Sequence, residues 1–167
     1  MSIRSPEELA ALRRVGRVVA ETIAEVRRRL VPGMTTAEVD AIAEEVFARH
    51  GARSAPRDTY GFPGCICLSV DDEAVHGIPG RRRLRDGDLL KLDVTAELDG
   101  FYADACVSVP VGRAGAPATH LVDTARRALA GAMRVARAGA PLNAIGAAVE
   151  QTVTARGQAS LSGESGA

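Results

Sequence analysis

Two aspartates on either side of a predicted β-turn are the residues of this sequence whose types and spacing best suit chemistry. Asp99-Gly100, a dipeptide typical of two-residue hairpin loops, lies between two segments of alternating apolar and polar residues. Such a loop pairs Thr95 with Asp104, and because side chains alternate between the faces of a strand, Asp93 lies diagonally across from Asp104 on the same face. We therefore predict an antiparallel hairpin between residues 88 and 111 that holds two carboxylates side by side.

Two carboxylates this close repel each other unless a cation lies between them. A pair of divalent metal ions meets this need, because such ions prefer oxygen ligands and can be bridged by carboxylates. The other interpretation is that Asp93 and Asp104 are ordinary solubilising charges on an exposed sheet face. The spacing alone leaves both interpretations open.

His76 is a third residue that could take part in chemistry, since it precedes Gly77-Ile78-Pro79. A histidine on so tight a loop can point its ring into a cleft, but it can equally be a plain surface residue of a turn. The histidine by itself therefore does not decide between a catalytic and a structural role.

The elements that must position these residues follow from periodicity, caps and breakers. Ser5-Pro6-Glu7-Glu8 is a capping box that begins the first helix, and Thr35 caps the second. The sequence predicts, in order, a helix over 6–30, a helix ending at Gly51, a structured loop over 52–64, a strand over 65–70, the hairpin, helices over 118–137 and 143–156, and a frayed tail over 158–167.

Residues 33–51 can be laid over residues 139–157 without a gap. In both segments a glycine turn follows a long helix, and a second helix ends at a glycine. Two alanine-rich helices can match this well by chance, so internal duplication and coincidence both remain open. The identical pairs are Gly33/Gly139, Ala41/Ala147, Glu44/Glu150 and Gly51/Gly157.

Composition excludes several classes of protein. The 167 residues suit one domain with a real core, and 21 basic side chains balance 21 acidic ones. A neutral chain with 3% aromatic residues lacks the basic surface and the stacking platform of nucleic-acid binders. No apolar segment is long enough to span a membrane. Three cysteines and a first segment without signal-peptide character predict reduced thiols in the cytoplasm.

Further motifs, in order along the chain, resemble those of type I methionine aminopeptidases. The most specific are Leu92-Asp93-Val94-Thr95 and Asp99-Gly100-Phe101-Tyr102-Ala103-Asp104, and the resemblance runs from about residue 3 to about residue 161. The others are Ser5-Pro6-Glu7-Glu8-Leu9 with Arg14-Val15-Gly16-Arg17, Pro32-Gly33-Met34-Thr35-Thr36, Tyr60-Gly61-Phe62-Pro63, Cys67-Leu68-Ser69-Val70, Val75-His76-Gly77-Ile78-Pro79 and Leu84-Arg85-Asp86-Gly87-Asp88.

The resemblance implies the fold and the activity. The fold class is α/β of the α+β type: the N-terminal part of the pita-bread fold, an antiparallel hairpin sheet covered by helices. Residues 1–111 would form its first half, 112–157 the helical start of the second, and 158–167 a tail. The implied activity is metal-dependent removal of the N-terminal methionine from nascent polypeptides, in the cytoplasm and near the ribosome, without direct contact to nucleic acid or membrane.

By the same resemblance, Asp93 and Asp104 would be metal ligands in a site that, when complete, holds two divalent ions. These ions would be cobalt, manganese, iron, zinc or nickel. His76 would be the catalytic residue that contacts the substrate and stabilises the developing oxyanion. Phe62 and Cys67 would line the pocket for the methionine side chain, since an apolar slot and a soft sulfur suit a thioether.

The sequence departs from the family pattern beyond Gly157. The family takes its other metal ligands from its second half, a histidine in a His-Gly-Ile/Val-Gly motif and two glutamates, and none of these motifs occurs here. We therefore expect a chain truncated before those ligands, of doubtful activity, with unpaired sheet edges that favour self-association. The alternative is a non-catalytic pita-bread relative that binds peptides or protein partners; a proline-directed dipeptidase of the same fold is a weaker third interpretation.

Overall fold

The computed structural model describes residues 3–159, which form two compact units divided between Ala114 and Gly115. Residues 160–167, most of the predicted tail, lie outside the described residues. The elements are α1 (Pro6–Arg29), α2 (Thr36–His50), β1 (Arg53–Ser54), α3 (Ala55–Tyr60), β2 (Cys67–Val70), β3 (Leu89–Leu98), β4 (Phe101–Pro110), α4 (Ala116–Val135) and α5 (Asn143–Ala155).

The sheet of the first unit is antiparallel and is built around β3. All ten residues of β3 pair with β4, so the two short strands share the other edge of β3. There β2 pairs with residues 90–93 and β1 with residues 96–97. The strand that carries Asp93 is therefore held from both sides along its length, which fixes the position of that side chain.

Helices cover one face of this sheet. The side chains of β3 that point to this face are fully buried except Leu98, next to the turn, which is partly buried. Helices α1 and α2 contribute apolar residues that recur at helical spacing. Helix α1 packs on β3, β4 and α2. The buried face of β3 consists of Leu90, Leu92, Val94 and Ala96. The predicted antiparallel sheet with a helical cover is confirmed.

The predicted loop over 52–64 is wrong in part, because it contains β1 and the short helix α3. The Ser54 hydroxyl caps α3 by accepting a hydrogen bond from Arg57 N, and Gly61 ends the helix in the left-handed conformation. Pro56 lies in the first turn of this helix, where the missing N–H of proline costs no hydrogen bond within the helix.

The strand predicted over 65–70 begins only at Cys67. The backbone N–H groups of Cys65 and Ile66 donate to the Asp40 carboxylate of α2, at 2.9 Å from Oδ1 in each case. These two groups are therefore satisfied by a side chain instead of by a neighbouring strand.

The second unit is a pair of helices, α4 and α5. Helix α4 begins at Ala116, two residues before the predicted start, with Pro117 in its first turn. Arg156 ties the end of α5 to α4, since its Nη2 lies 2.7 Å from Asp123 Oδ2 and its Nε donates to Thr124 Oγ1 at 2.8 Å. Within residues 3–159, no helix is both long enough and apolar enough to cross a membrane.

Candidate metal centre

The hairpin has the register that the sequence predicts. Leu98 pairs with Phe101 next to the loop, and Thr95 pairs with Asp104. The two loop residues, Asp99 and Gly100, have φ angles of 53° and 81°. Positive φ at both positions is the signature of the type I′ turn, whose twist matches that of the strands it joins. The turn therefore fixes which residues of the two strands face each other.

Asp93 and Asp104 lie on the same face of this hairpin and interact. Burial raises the pKa of Asp93, and the charge of the nearby Asp104 carboxylate, within hydrogen-bonding reach, raises it further; His76 opposes the rise. The Thr95 hydroxyl donates to Asp104 Oδ1 at 2.9 Å, which orients that carboxylate. The face thus holds two neighbouring acids, of which Asp104 destabilises the charged form of Asp93, and a bound cation would relieve this repulsion.

Two thiols flank Asp93 across the sheet. Cys67 of β2 and Cys106 of β4 are its cross-strand partners on either side. Cys67 is buried and Cys106 is exposed. Burial, reinforced by the charges of Asp93 and Asp104, raises the pKa of each thiol to about 11. Both cysteines are therefore protonated near neutral pH, with soft sulfur atoms next to the acidic pair.

The loop that carries His76 is fastened to β2. Gly77 O accepts a hydrogen bond from Leu68 N at 2.9 Å, and Gly77 N donates to Ser69 Oγ at 2.9 Å. A Cβ atom at Gly77 would lie 2.3 Å from Leu68 O, so only glycine fits. This close approach places the exposed His76, in the left-handed conformation at φ 58°, near Asp93.

Phe62 lies at the other side of the same loop. It is 7% exposed, and its ring meets that of Tyr60 edge-on, with 6.4 Å between centroids. A Cβ atom at Gly64 would lie 3.1 Å from the Phe62 ring and 2.6 Å from Pro79 Cγ, so the ring and the proline converge over this glycine. Phe62, the predicted pocket residue, thus lies close to Pro79 of the loop that carries His76.

Sequence reasoning missed several residues that hold this site in place. Asp40 anchors the start of β2, Ser69 anchors the His76 loop, and Thr95 orients Asp104. The predicted hairpin register already placed Thr95 opposite Asp104, so its role could have been found. No local pattern marks Asp40 or Ser69, because their partners lie 25 and 8 residues away in sequence.

The donor set fits a divalent ion only in part. Carboxylate oxygens are the ligands that hard divalent cations prefer, and the pair Asp93–Asp104 supplies them. Within residues 3–159, however, no three His, Cys, Asp or Glu side chains are arranged to hold a metal ion. Since such ions take four or more ligands, further donors are needed to complete the site.

Paired carboxylates on the open face of a helix-covered antiparallel sheet can contribute oxygen ligands to a metal ion. The family model of metallopeptidase family M24 matches residues 10–165. The chain therefore belongs to metallopeptidase family M24, whose members have the pita-bread fold, and the family implies divalent metal ions.

Individual relatives agree with this assignment. A methionine aminopeptidase of Staphylococcus epidermidis is 42% identical over 153 residues, which cover 91% of this chain and 61% of that protein. Methionine aminopeptidase 2 of Bacillus subtilis is 39% identical over 158 residues, covering 94% and 64%. The crystal structure of methionine aminopeptidase from Rickettsia prowazekii matches with a TM-score of 0.88 at 30% identity, covering 93% of this chain and 62% of that one. The chain thus spans less than two thirds of the length of these relatives.

Proposed function

We propose that this chain carries the first half of the active site of a metal-dependent aminopeptidase that removes the N-terminal methionine from nascent polypeptides. The observation that carries the proposal is the pair of interacting carboxylates of Asp93 and Asp104 on one face of the hairpin. A protein that only binds peptides has no need for two adjacent acids of which one destabilises the charged form of the other, so the non-catalytic alternative is not favoured. The named relatives are methionine aminopeptidases, which supports the substrate class.

Each site residue has a role in this proposal. Asp93 and Asp104 are ligands of the divalent metal ions, of which the complete site holds two. The metal is cobalt, manganese, iron, zinc or nickel. His76 contacts the substrate beside them and stabilises the oxyanion that develops on the scissile carbonyl. Phe62 and Cys67 form the apolar, sulfur-containing wall against which the methionine side chain packs. Bound metal would make water nucleophilic near neutral pH.

The same proposal assigns the parts of the fold. Residues 1–111 form the first pita-bread half and 112–157 the helical start of the second, while the remaining metal donors come from outside the described residues. A cytoplasmic location, proximity to the ribosome and self-association through unpaired sheet edges belong to the proposal too. The substrate class supports the first two, and the edge of β4 supports the third.

Titration with Mn²⁺ tests the metal site. We expect the 167-residue chain to bind Mn²⁺ weakly in a calorimeter and Asp93→Asn to abolish the heat of binding, because one of two carboxylate ligands is lost. Asp99→Asn is the matched control, since Asp99 is on the same hairpin but at the exposed loop. Identical curves for the wild type and Asp93→Asn would refute the site.

Peptide hydrolysis tests the incomplete donor set. Release of methionine from Met-Ala-Ser by the chain loaded with Mn²⁺ or Co²⁺ should stay near background, because two aspartates alone leave the ions poorly coordinated. Rapid release that is lost in His76→Ala would instead show that the described residues suffice for catalysis.

A further inference from the structure

The loop of residues 71–77, which carries His76, contains two residues with a side chain and a positive φ angle. Asp71, the first residue after β2, has a φ of 57°, and His76 has a φ of 58°. This conformation costs free energy in a residue with a Cβ atom, so it persists only where surrounding contacts hold the backbone in it. The contacts of the loop therefore determine where the His76 ring lies.

The face of the sheet that carries Asp93 also carries the residues that hold both ends of this loop. Ser69 of β2 and Lys91 of β3 are cross-strand partners, and Lys91 lies two residues from Asp93 on the same face. At the end of the loop, Ser69 Oγ accepts a hydrogen bond from Gly77 N at 2.9 Å. At its start, Lys91 Nζ donates to Asp71 O at 2.7 Å. Strand β3 thus supplies both the candidate metal ligand and the donor that holds the start of the loop.

The carbonyl group of Asp71 has a different partner from the rest of that residue. The Asp71 N–H donates to Leu89 O at 2.9 Å, and Asp71 Oδ1 accepts from Leu89 N at 2.8 Å. These two bonds fix Asp71 to the start of β3, but they do not fix the next peptide group, to which the carbonyl belongs. The bond from Lys91 holds that peptide group, and with it the direction in which the chain leaves toward His76.

The chemistry of Lys91 suits this task. Its side chain is partly buried, and it is the only lysine of the sequence. An ammonium group brings three donors on a long flexible stem, so it can reach a carbonyl beyond its own strand. A length of 2.7 Å is typical of a bond whose donor carries a charge, and such bonds are about twice as strong as neutral ones.

We propose that Lys91 is a positioning residue for His76: its ammonium group holds the start of the loop and thereby keeps the His76 ring beside the acidic pair. This inference rests on the role proposed for His76 at the metal site. A lysine that only adds charge to the surface would leave the loop unchanged when it is replaced.

Amide hydrogen exchange in the metal-free chain tests the bond. Lys91→Met keeps the length of the side chain but removes the donor, so the Gly77 amide, whose own acceptor is Ser69, should exchange about fivefold faster, the effect of one lost hydrogen bond. Bonds between Glu73 and Val70 still close the turn at the start of the loop. The midpoint of urea unfolding should therefore stay unchanged.

Two further variants separate the ammonium group from its surroundings. Lys91→Arg keeps a charged donor and should protect Gly77 as the wild type does. Ser108 is the partner of Lys91 on β4, on the side of β3 away from β2 and the loop, so Ser108→Ala is the matched control and should change nothing. If Lys91→Arg accelerates the exchange of Gly77 as much as Lys91→Met, or if Ser108→Ala does, the ammonium group is not what holds the loop.

Line broadening by Mn²⁺ tests the position of the ring. Bound Mn²⁺ broadens proton resonances more strongly the closer they lie, so the His76 Hε1 resonance should broaden in the wild type. The amide of Thr95, between the two acids on the hairpin, reports how much of the site is occupied. Lys91→Met should lower the ratio of the broadening at His76 to that at Thr95, because the ring moves away from the acids, and Lys91→Arg should restore it.

The outcomes separate this inference from the proposed function. Absence of broadening at Thr95 in the wild type overturns the proposed metal site, and with it the role of His76 on which the inference rests. Broadening at Thr95 together with unchanged exchange of Gly77 in Lys91→Met overturns the inference and leaves the metal site standing. Faster exchange with an unchanged broadening ratio also overturns it, because Lys91 then stabilises the loop without positioning His76.

Discussion

Strand β3 holds two carboxylates on the same face of the sheet, one near the turn and one in the middle of the strand, in opposite electrostatic surroundings. Near the turn, Glu97 accepts hydrogen bonds from Gly100 N at 2.6 Å and from Arg53 Nε at 2.9 Å. The bond from Gly100, and to a smaller extent Arg53, lowers its pKa. Four residues away, burial and the charge of Asp104 raise the pKa of Asp93.

This difference separates a carboxylate that maintains the fold from one that is available for a ligand. A structural acid in a folded protein comes with donors that compensate for its lost hydration. Asp93 faces another acid instead, a cost to stability that persists in proteins mainly where a function uses it. The comparison therefore predicts that removing the charge will destabilise the chain at Glu97 and stabilise it at Asp93.

Glu97→Ala should have the largest effect of these substitutions. The side chain is 7% exposed and its loss leaves Gly100 N and Arg53 without their acceptor, so we expect a destabilisation of about 2 kcal/mol in urea unfolding at neutral pH. Because the folded pKa of Glu97 is lowered, its stabilisation is present above the ordinary pKa of glutamate and is lost as the pH falls through the folded value. A difference from the wild type that stays constant down to low pH would contradict this origin.

Substitutions at Asp99 distinguish the turn backbone from its charge. Asp99 also faces Arg14, but its Oδ2 lies 3.5 Å from Arg14 Nη2 and both side chains are exposed, so this pair contributes little. Asp99→Asn should therefore leave the unfolding midpoint unchanged, since asparagine tolerates the positive φ of a type I′ turn. Asp99→Ala should cost about 1 kcal/mol, because alanine does not tolerate it. Equal losses in both variants would show that the ion pair, and not the backbone, stabilises the turn.

Most of the hairpin could be predicted from the sequence because its information is local. The dipeptide Asp99-Gly100 determines the turn, and the alternation of side chains then places Asp93 and Asp104 on one face. The capped helices α1 and α2 were predictable for the same reason, since Ser5 and Thr35 mark their starts.

The segment before β2 could not be predicted in the same way. Its structure depends on contacts distant in sequence: Asp40 accepts from Cys65 and Ile66, and the Ser54 hydroxyl donates to Cys65 O at 2.7 Å. The roles proposed for His76, Phe62 and Cys67 rest on the family resemblance, because a lone histidine and two apolar side chains carry no spacing signal of their own.

Asp93→Asn should have the smallest effect on stability, and one of opposite sign. Since the folded pKa of Asp93 is raised, the folded state holds the proton more tightly than the unfolded chain, and stability decreases as the pH rises through the interval between the two values. The amide cannot ionise, so at neutral pH the metal-free variant should be more stable by about 0.5 kcal/mol, a modest value because solvent screens this partly exposed site. The gain should vanish in acid, where the wild-type carboxyl is protonated in both states.

Bound metal should reverse the order of stability of Asp93→Asn and the wild type. Mn²⁺ that binds only the folded state stabilises that state, and tighter binding gives greater stabilisation. Mn²⁺ should therefore raise the unfolding midpoint of the wild type and leave that of Asp93→Asn unchanged. Thermal unfolding of both chains at neutral pH, with Mn²⁺ and then with a chelator, measures the reversal. If Asp93→Asn is less stable than the wild type without metal, Asp93 supports the fold as Glu97 does, and the distinction between the two carboxylates of β3 fails.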